Sequence, residues 1–207
     1  MLGPIRPVNY FAVQCCAVTR KYELKRRAER QAETRRRIVE ATVALHTTLG
    51  PARTSISAVA ERAGVQRHTV YDHFPTEGEL FGACSAHWYA RHPFPDSVEW
   101  AAIEDPEKRL CTALGEIYAW YEVVETEFAL FVRDAPLVAA GTELMDVRAA
   151  AMARRAELLG RGWSRRKAVR AAIAHSLEFE TWRSLVRRQG LTPAQAVAAM
   201  LRFVVSV

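Results

Sequence analysis

Residues 59–74, VAERAGVQRHTVYDHF, decide the fold of this 207-residue chain. Val59, Ala60 and Ala63 stand at i, i+1 and i+4, so one face of a short helix is small and apolar and can lie close to a neighbour. Gly64 tolerates positive φ and can end that helix at its C′ position. Val65 fills the inside of the corner. Beyond it, Arg67, His68, Thr69, Tyr71 and His73 alternate with core-facing Val70 and Phe74, which predicts a second short helix whose exposed face is rich in hydrogen-bond donors. Such a face suits a DNA major groove, where base edges and phosphates both offer acceptors. The layout is that of a helix-turn-helix.

Outward from this motif the chain reads as helices. Helix 1 is expected over about residues 33–49, with Ile38, Ala41, Thr42, Leu45 and Leu49 on one face and Gly50 and Pro51 as its stop. The motif helices follow at residues 57–63 and 67–73. Thr76, with Glu79 three residues on, predicts a capping box opening a fourth helix that reaches Ala90 before His92 and Pro93. Residues 93–105 read as a connection. Further helices are expected at residues 106–124, 126–133, 142–159, 165–189 and 193–205, with Ser164 as a cap, Gly190 as a stop, and Thr192 and Pro193 opening the last. No β-hairpin signal occurs. The fold class is therefore all-α: an N-terminal three-helix helix-turn-helix domain (residues 31–91) and a C-terminal helical domain (residues 92–207), preceded by an arm (residues 1–30).

Charge divides along the same line. The chain has 29 Lys+Arg against 23 Asp+Glu, net +6; residues 1–74 hold 13 basic and 6 acidic side chains, and residues 75–207 hold 16 and 17. All the excess lies with the motif, as phosphate attraction at one end and another task at the other would require. Residues 1–17, with Pro4, Pro7 and no periodicity, read as disordered. Residues 19–37 pack nine basic side chains among three acidic ones in a helix-favouring composition. They are either a solvated helical extension or a basic arm following the DNA backbone or entering a minor groove.

Several classes are set aside. No apolar run approaches the roughly 20 residues of a membrane span, and residues 1–18 lack a signal peptide's basic start and apolar block; a cytoplasmic protein with no membrane partner is expected. Cys15, Cys16, Cys84 and Cys111 have neither ligand spacing nor a disulfide framework and read as reduced thiols. Cys84 and His87 share a helix face, but two ligands are too few for a metal site, and His68 and His73, five apart, do not face one ion. Neither a Gly-rich phosphate loop nor a Gly-x-Ser-x-Gly elbow is present. No catalytic residue, metal or cofactor is expected.

Thr54–Ser55, Val59–Ala60, Ala63–Gly64–Val65, Thr69–Val70–Tyr71 and His73–Phe74 resemble, in order and spacing, the motif of the tetracycline-repressor (TetR) family of transcription regulators. The resemblance runs from near residue 35 to residue 80. It implies DNA contacts at Ser55, Ser57, Arg67, His68, Thr69, Tyr71 and His73, with a double-stranded operator as partner. Arg67 is the best base reader, since a guanidinium addresses guanine O6 and N7 bidentately, whereas the Thr69 and Tyr71 hydroxyls suit phosphates. The resemblance also implies a homodimer built through the last two helices and a pocket for a small-molecule effector in the second domain. Trp88, Tyr118, Tyr121, Phe128, His175, Phe179 and Trp182 are the candidate lining, suited to a flat or lipophilic molecule. Two positions depart from the family near the phosphates: Asp72, where an aromatic or basic residue is common, and Glu77, where many members carry Lys. The expected function is a ligand-responsive repressor on a palindromic operator; the alternative is a ligand-binding or protein-interaction module with degenerate DNA contacts.

Overall fold

The computed structural model describes residues 10–207, with side chains from residue 22 onward. Its first helix, α1 (Tyr10–Thr48), is followed by a 3-10 turn (Pro51–Arg53), the short helices α2 (Ile56–Ala63) and α3 (Arg67–His73), and α4 (Glu77–Arg91). Then come α5 (Ser97–Ala101), α6 (Pro106–Asp134), a 3-10 turn (Ala135–Leu137), α7 (Ala139–Leu159), α8 (Lys167–Ser176), α9 (Phe179–Arg183) with a π turn (Ser184–Arg188), and α10 (Pro193–Ser206). Every element among the described residues is helical.

Two apolar clusters organise these helices. Ile38, Val59, Ala60, Val70, Phe74 and Leu80 close the first, around α1–α4. The second gathers α6 with α8, α9 and α10 around Leu114, Tyr121, Phe128, Ile173 and Trp182. Helix α4 serves both, with Leu80 and Cys84 in the first and Trp88 and Tyr89 against the second.

Four elements differ from the sequence reading. α1 starts at Tyr10, not near Glu33. Of the stretch read as disordered, residues 1–9 lie outside the described residues and residues 10–17 are helical. No Gly or Pro interrupts the polar run before Ile38, and Arg36 ties adjacent turns by ion pairs to Glu33 (2.6 Å) and Glu40 (2.8 Å), so the helix simply continues. α6 is unbroken through Glu125, again for want of a breaker. The connection at residues 93–105 contains α5, whose N-cap Asp96 accepts from the Val98 amide at 2.9 Å and whose buried Trp100 donates to Glu116 at 2.8 Å.

The expected helix over residues 165–189 breaks at Leu177 and Glu178. The carbonyls freed there are taken by tyrosines of α6: Tyr118 donates to the Ser176 carbonyl at 2.9 Å and Tyr121 to the Leu177 carbonyl at 2.7 Å. A buried helix end needs such partners, and these lie more than fifty residues away, beyond any local pattern.

Candidate nucleic-acid interface

The corner of the motif is built by its own residues and by α1. Ser55 caps α2, accepting from the Ala58 amide at 3.2 Å. Gly64 sits in the left-handed region (φ 64°, ψ 41°), and the Val65 amide returns to the Ala60 carbonyl at 3.0 Å. The Arg37 guanidinium donates to the Ala63 carbonyl (3.1 Å from Nε) and to that of Gly64 (3.0 Å). Arg35 donates to the His73 carbonyl at 2.7 Å while its guanidinium lies 4.0 Å from the centre of the Phe74 ring. Both cations therefore neutralise helix C-termini and hold the two motif helices to α1. The sequence reading had placed them in the basic arm; only the fold reveals their carbonyl partners.

This scaffold fixes α3 by its inner face, where Val70 is 0% and Phe74 1% exposed. The outer face carries exposed Arg67, His68 and Tyr71, with Thr69 and His73 partly covered at its edge. Arg67 and Tyr71, one turn apart, touch at 3.4 Å between guanidinium and hydroxyl. Ser55 and Ser57 are exposed at the start of α2; Ser55 accepts a cap bond and still has its O–H to donate outward. The structure thus gathers the seven expected DNA-contacting residues on α3 and the adjoining end of α2. Arg26, Arg27 and Arg30 of α1 line a groove with Thr69 and His73, which extends the cationic surface beyond the motif. Asp72 and Glu77 are also exposed. At α4 the Thr76 hydroxyl accepts from the Glu79 amide at 3.2 Å, half of the expected capping box.

Behind this surface lies a cavity of about 60 Å³ between α1, α4, α6 and α7. Trp88 and Phe128 line it, with Phe81, Phe131 and Leu144. Of the other expected lining residues, Phe179 packs edge-on against Phe128 (5.0 Å between centres) and Trp182 and Tyr121 pack behind it. Tyr118 lies deeper, holding the Ser176 carbonyl, and His175 is exposed on α8 beside Thr181. At the cavity wall the Cys84 thiol is 3.4 Å from His46 Nδ1. Burial pushes the thiol up to about 12, and burial holds the imidazole down to about 4 against the pull of Asp134. The pair stays neutral and gives no thiolate nucleophile. No cluster of three or more metal-ligating residues occurs among the described residues, and no helix there is long and apolar enough to cross a membrane.

The two cores are joined at the end of α6. Asp134, 2% exposed, accepts from the Ala52 amide at 3.2 Å and from Arg133 at 2.6 Å, and Arg133 reaches the Leu49 carbonyl at 3.2 Å. The Arg133 hydrogen bond holds the Asp134 carboxyl below the usual carboxylate range. Gly50, at φ +93°, leaves the space: a Cβ there would stand 2.1 Å from the carboxylate oxygen.

Residues 38–84 match the family described as bacterial regulatory proteins, tetR family. Among solved structures the chain is similar to a TetR-like transcriptional regulator from Rhodococcus sp. RHA1 (18% identity, TM-score 0.58, 83% of this chain and 93% of that one). It is also similar to a TetR transcription regulator from Haloarcula marismortui ATCC 43049 (15%, 0.55, 84% and 96%). A third is the multidrug binding protein EbrR, solved with imidazole (22%, 0.54, 82% and 88%). At these identities the likeness is one of fold. No curated protein matches the chain.

Proposed function

We propose that residues 38–84, which match the tetR family of bacterial regulatory proteins, form a DNA-binding domain, and that the protein is a homodimeric repressor that holds a palindromic operator and releases it on binding a small molecule. The observation that carries this reading is the outer face of α3, where Arg67, His68 and Tyr71 are exposed while Val70 and Phe74 anchor the helix from behind. In the proposed complex, α3 enters the major groove with Arg67 toward a guanine edge, while Thr69, Tyr71, Ser55 and Ser57 meet phosphates and fix register. Two-fold pairing through α8 and α10 sets two copies of α3 one DNA turn apart, roughly 34–36 Å. Support for that pairing is the apolar surface that α10 leaves open, with Phe203 41% and Val205 55% exposed.

Release follows from the connection between the halves. Helix α6 lines the cavity with Glu127, Phe128 and Phe131 and ends in Asp134, which grips the backbone of Ala52 just ahead of α2. Helix α4 lines the same cavity with Phe81, Cys84 and Trp88 and follows α3 directly. A ligand that favours a different setting of α4 and α6 therefore changes the spacing of the two α3 helices, a population shift away from the operator-bound geometry. Sequence likewise places Asp72 and Glu77 where phosphates would pass, and their exposure favours a second reading, a ligand-binding or protein-interaction module with weak DNA contacts. Selection of binding sites from random double-stranded DNA separates the two. The repressor reading expects a two-fold-symmetric site; recovery of no common sequence supports the second.

A further inference from the structure

Arg148 and Arg155 are partly buried on α7, and neither meets a carboxylate within 4 Å among the described residues, unlike Arg36, Arg133, Arg183, Arg187 and Arg188. These two stand two turns apart on one side of α7, facing the aromatic layer of α4, α6 and the segment between them. Arg148 lies 4.5 Å above the centre of Phe128 and donates to the Tyr121 hydroxyl at 3.0 Å. Arg155 lies 4.4 Å above Phe94, and its Nε is sealed from solvent without a hydrogen-bond partner. Burial, with Arg148 and Arg154 nearby, presses its pKa downward. Glu178 shares a cleft with Arg148 but lies beyond ion-pair distance, and Glu127 of the cavity wall accepts from Trp88 Nε1. Partly buried cations without a counter-charge cost stability, so their presence points to an anion that supplies the charge.

The aromatic cavity adjoins Arg148, and Arg155 stands two turns farther along α7. Leu144, one turn before Arg148, and Phe128, beneath its guanidinium, both line the cavity, whose other walls include Phe81, Trp88 and Phe131. Planar guanidinium forks match a carboxylate bidentately, and apolar walls beside them match a hydrocarbon or aromatic body. We propose that the effector of this protein is an amphipathic organic carboxylate, its acid group clasped by Arg148 and Arg155 and its apolar body lying among Trp88, Phe128 and Leu144. This rests on the reading of the C-terminal half as an effector domain. The cavity of about 60 Å³ is far smaller than the several hundred Å³ of a typical ligand site, so entry of such a ligand requires Arg148 to lift off Phe128 and α7 to shift.

The test is calorimetric titration of the full chain with octanoate, decanoate and 2-naphthoate, each paired with its primary amide. At least one carboxylate should bind ten times more tightly than its amide, and Arg148→Met and Arg155→Met should each weaken the carboxylate at least tenfold while leaving the amide unchanged. The wild-type comparison stands even if a variant folds poorly. Equal affinities within all three pairs, or variants that bind carboxylate as the wild type does, overturn the proposal. Operator affinity, followed by fluorescence anisotropy in the same titrations, tests the other reading separately. Arginine-dependent binding that leaves operator affinity unaltered keeps the carboxylate site and removes the ligand-responsive repressor. Operator release by these acids that persists in both variants does the reverse.

Discussion

Gly50→Ala tests the joint between the two halves. At φ 93° and ψ 155°, a region left almost entirely to glycine, an L-residue is strained by roughly 1–3 kcal/mol. The new Cβ would also stand 2.1 Å from Asp134 Oδ2, so the carboxylate must swing away from the Ala52 amide. Hydrogen bonds to a buried charged group contribute about 1.5–3 kcal/mol, which brings the expected loss to about 2.5–6 kcal/mol. Urea unfolding followed by circular dichroism measures it, with Gly82→Ala as control: a Cβ there meets nothing within 4 Å inside α4, so that change should stabilise by about 0.5–1 kcal/mol. If Gly50→Ala costs under 1 kcal/mol, Asp134 does not depend on close approach to the Gly50–Ala52 backbone, and the proposed route from α6 to α2 loses its physical basis.

Acidification should weaken the fold through His46. Its folded pKa near 4 lies below the ordinary value of 6.5, so the unfolded chain takes up the proton first; stability is intact above about pH 6.5 and falls as pH drops toward 4. The loss between pH 7 and pH 5 is on the order of 2 kcal/mol, and urea midpoints for His46→Gln should move less over that interval; an equal shift assigns the effect elsewhere. Deleting residues 1–30 removes Arg26, Arg27 and Arg30 from the groove beside Thr69, which should weaken DNA binding and flatten the slope of log affinity against log salt; an unchanged slope makes the extension a solvated bystander. Glu77→Lys should raise affinity for operator and nonspecific DNA alike, since a carboxylate repels phosphate across about 8 Å at physiological salt, while thermal stability falls slightly as the α4 dipole loses its acid. No gain in titrations at low salt would put α4 farther from the DNA.

The helix-turn-helix unit was legible because its signals are local. α3 begins and ends where the alternation of donors with Val70 and Phe74 places it, and Gly64 takes the positive φ that the turn demands. Arg35 and Arg37 were misjudged because their partners are carbonyls 38, 26 and 27 residues away. The same blindness hid the break at Leu177, where Tyr118 and Tyr121 satisfy the freed carbonyls from another helix. Tyr118, Tyr121 and Trp182 show why a list of aromatics at helical spacings cannot separate a cavity wall from core: all three are 0% exposed, and only the packing of α1, α4, α6 and α7 leaves space beside Trp88 and Phe128. Arg148 and Arg155 carried no sequence signal, since an unpaired cation is recognised only once its neighbours are known.

The central claim, that α3 reads bases through Arg67, is tested most directly by guanine-N7 methylation interference on a selected operator, comparing the wild type with Arg67→Ala and Tyr71→Phe. N7 methylation blocks bidentate recognition of guanine. The account predicts that methylation of one guanine per half-site excludes the wild type and Tyr71→Phe but is without effect on Arg67→Ala, whose affinity is already reduced by about 1–3 kcal/mol per half-site. Tyr71→Phe should instead bind every sequence more weakly and keep the same preference. Interference at the same guanine in all three proteins would contradict the account, because some residue other than Arg67 would then be reading that base.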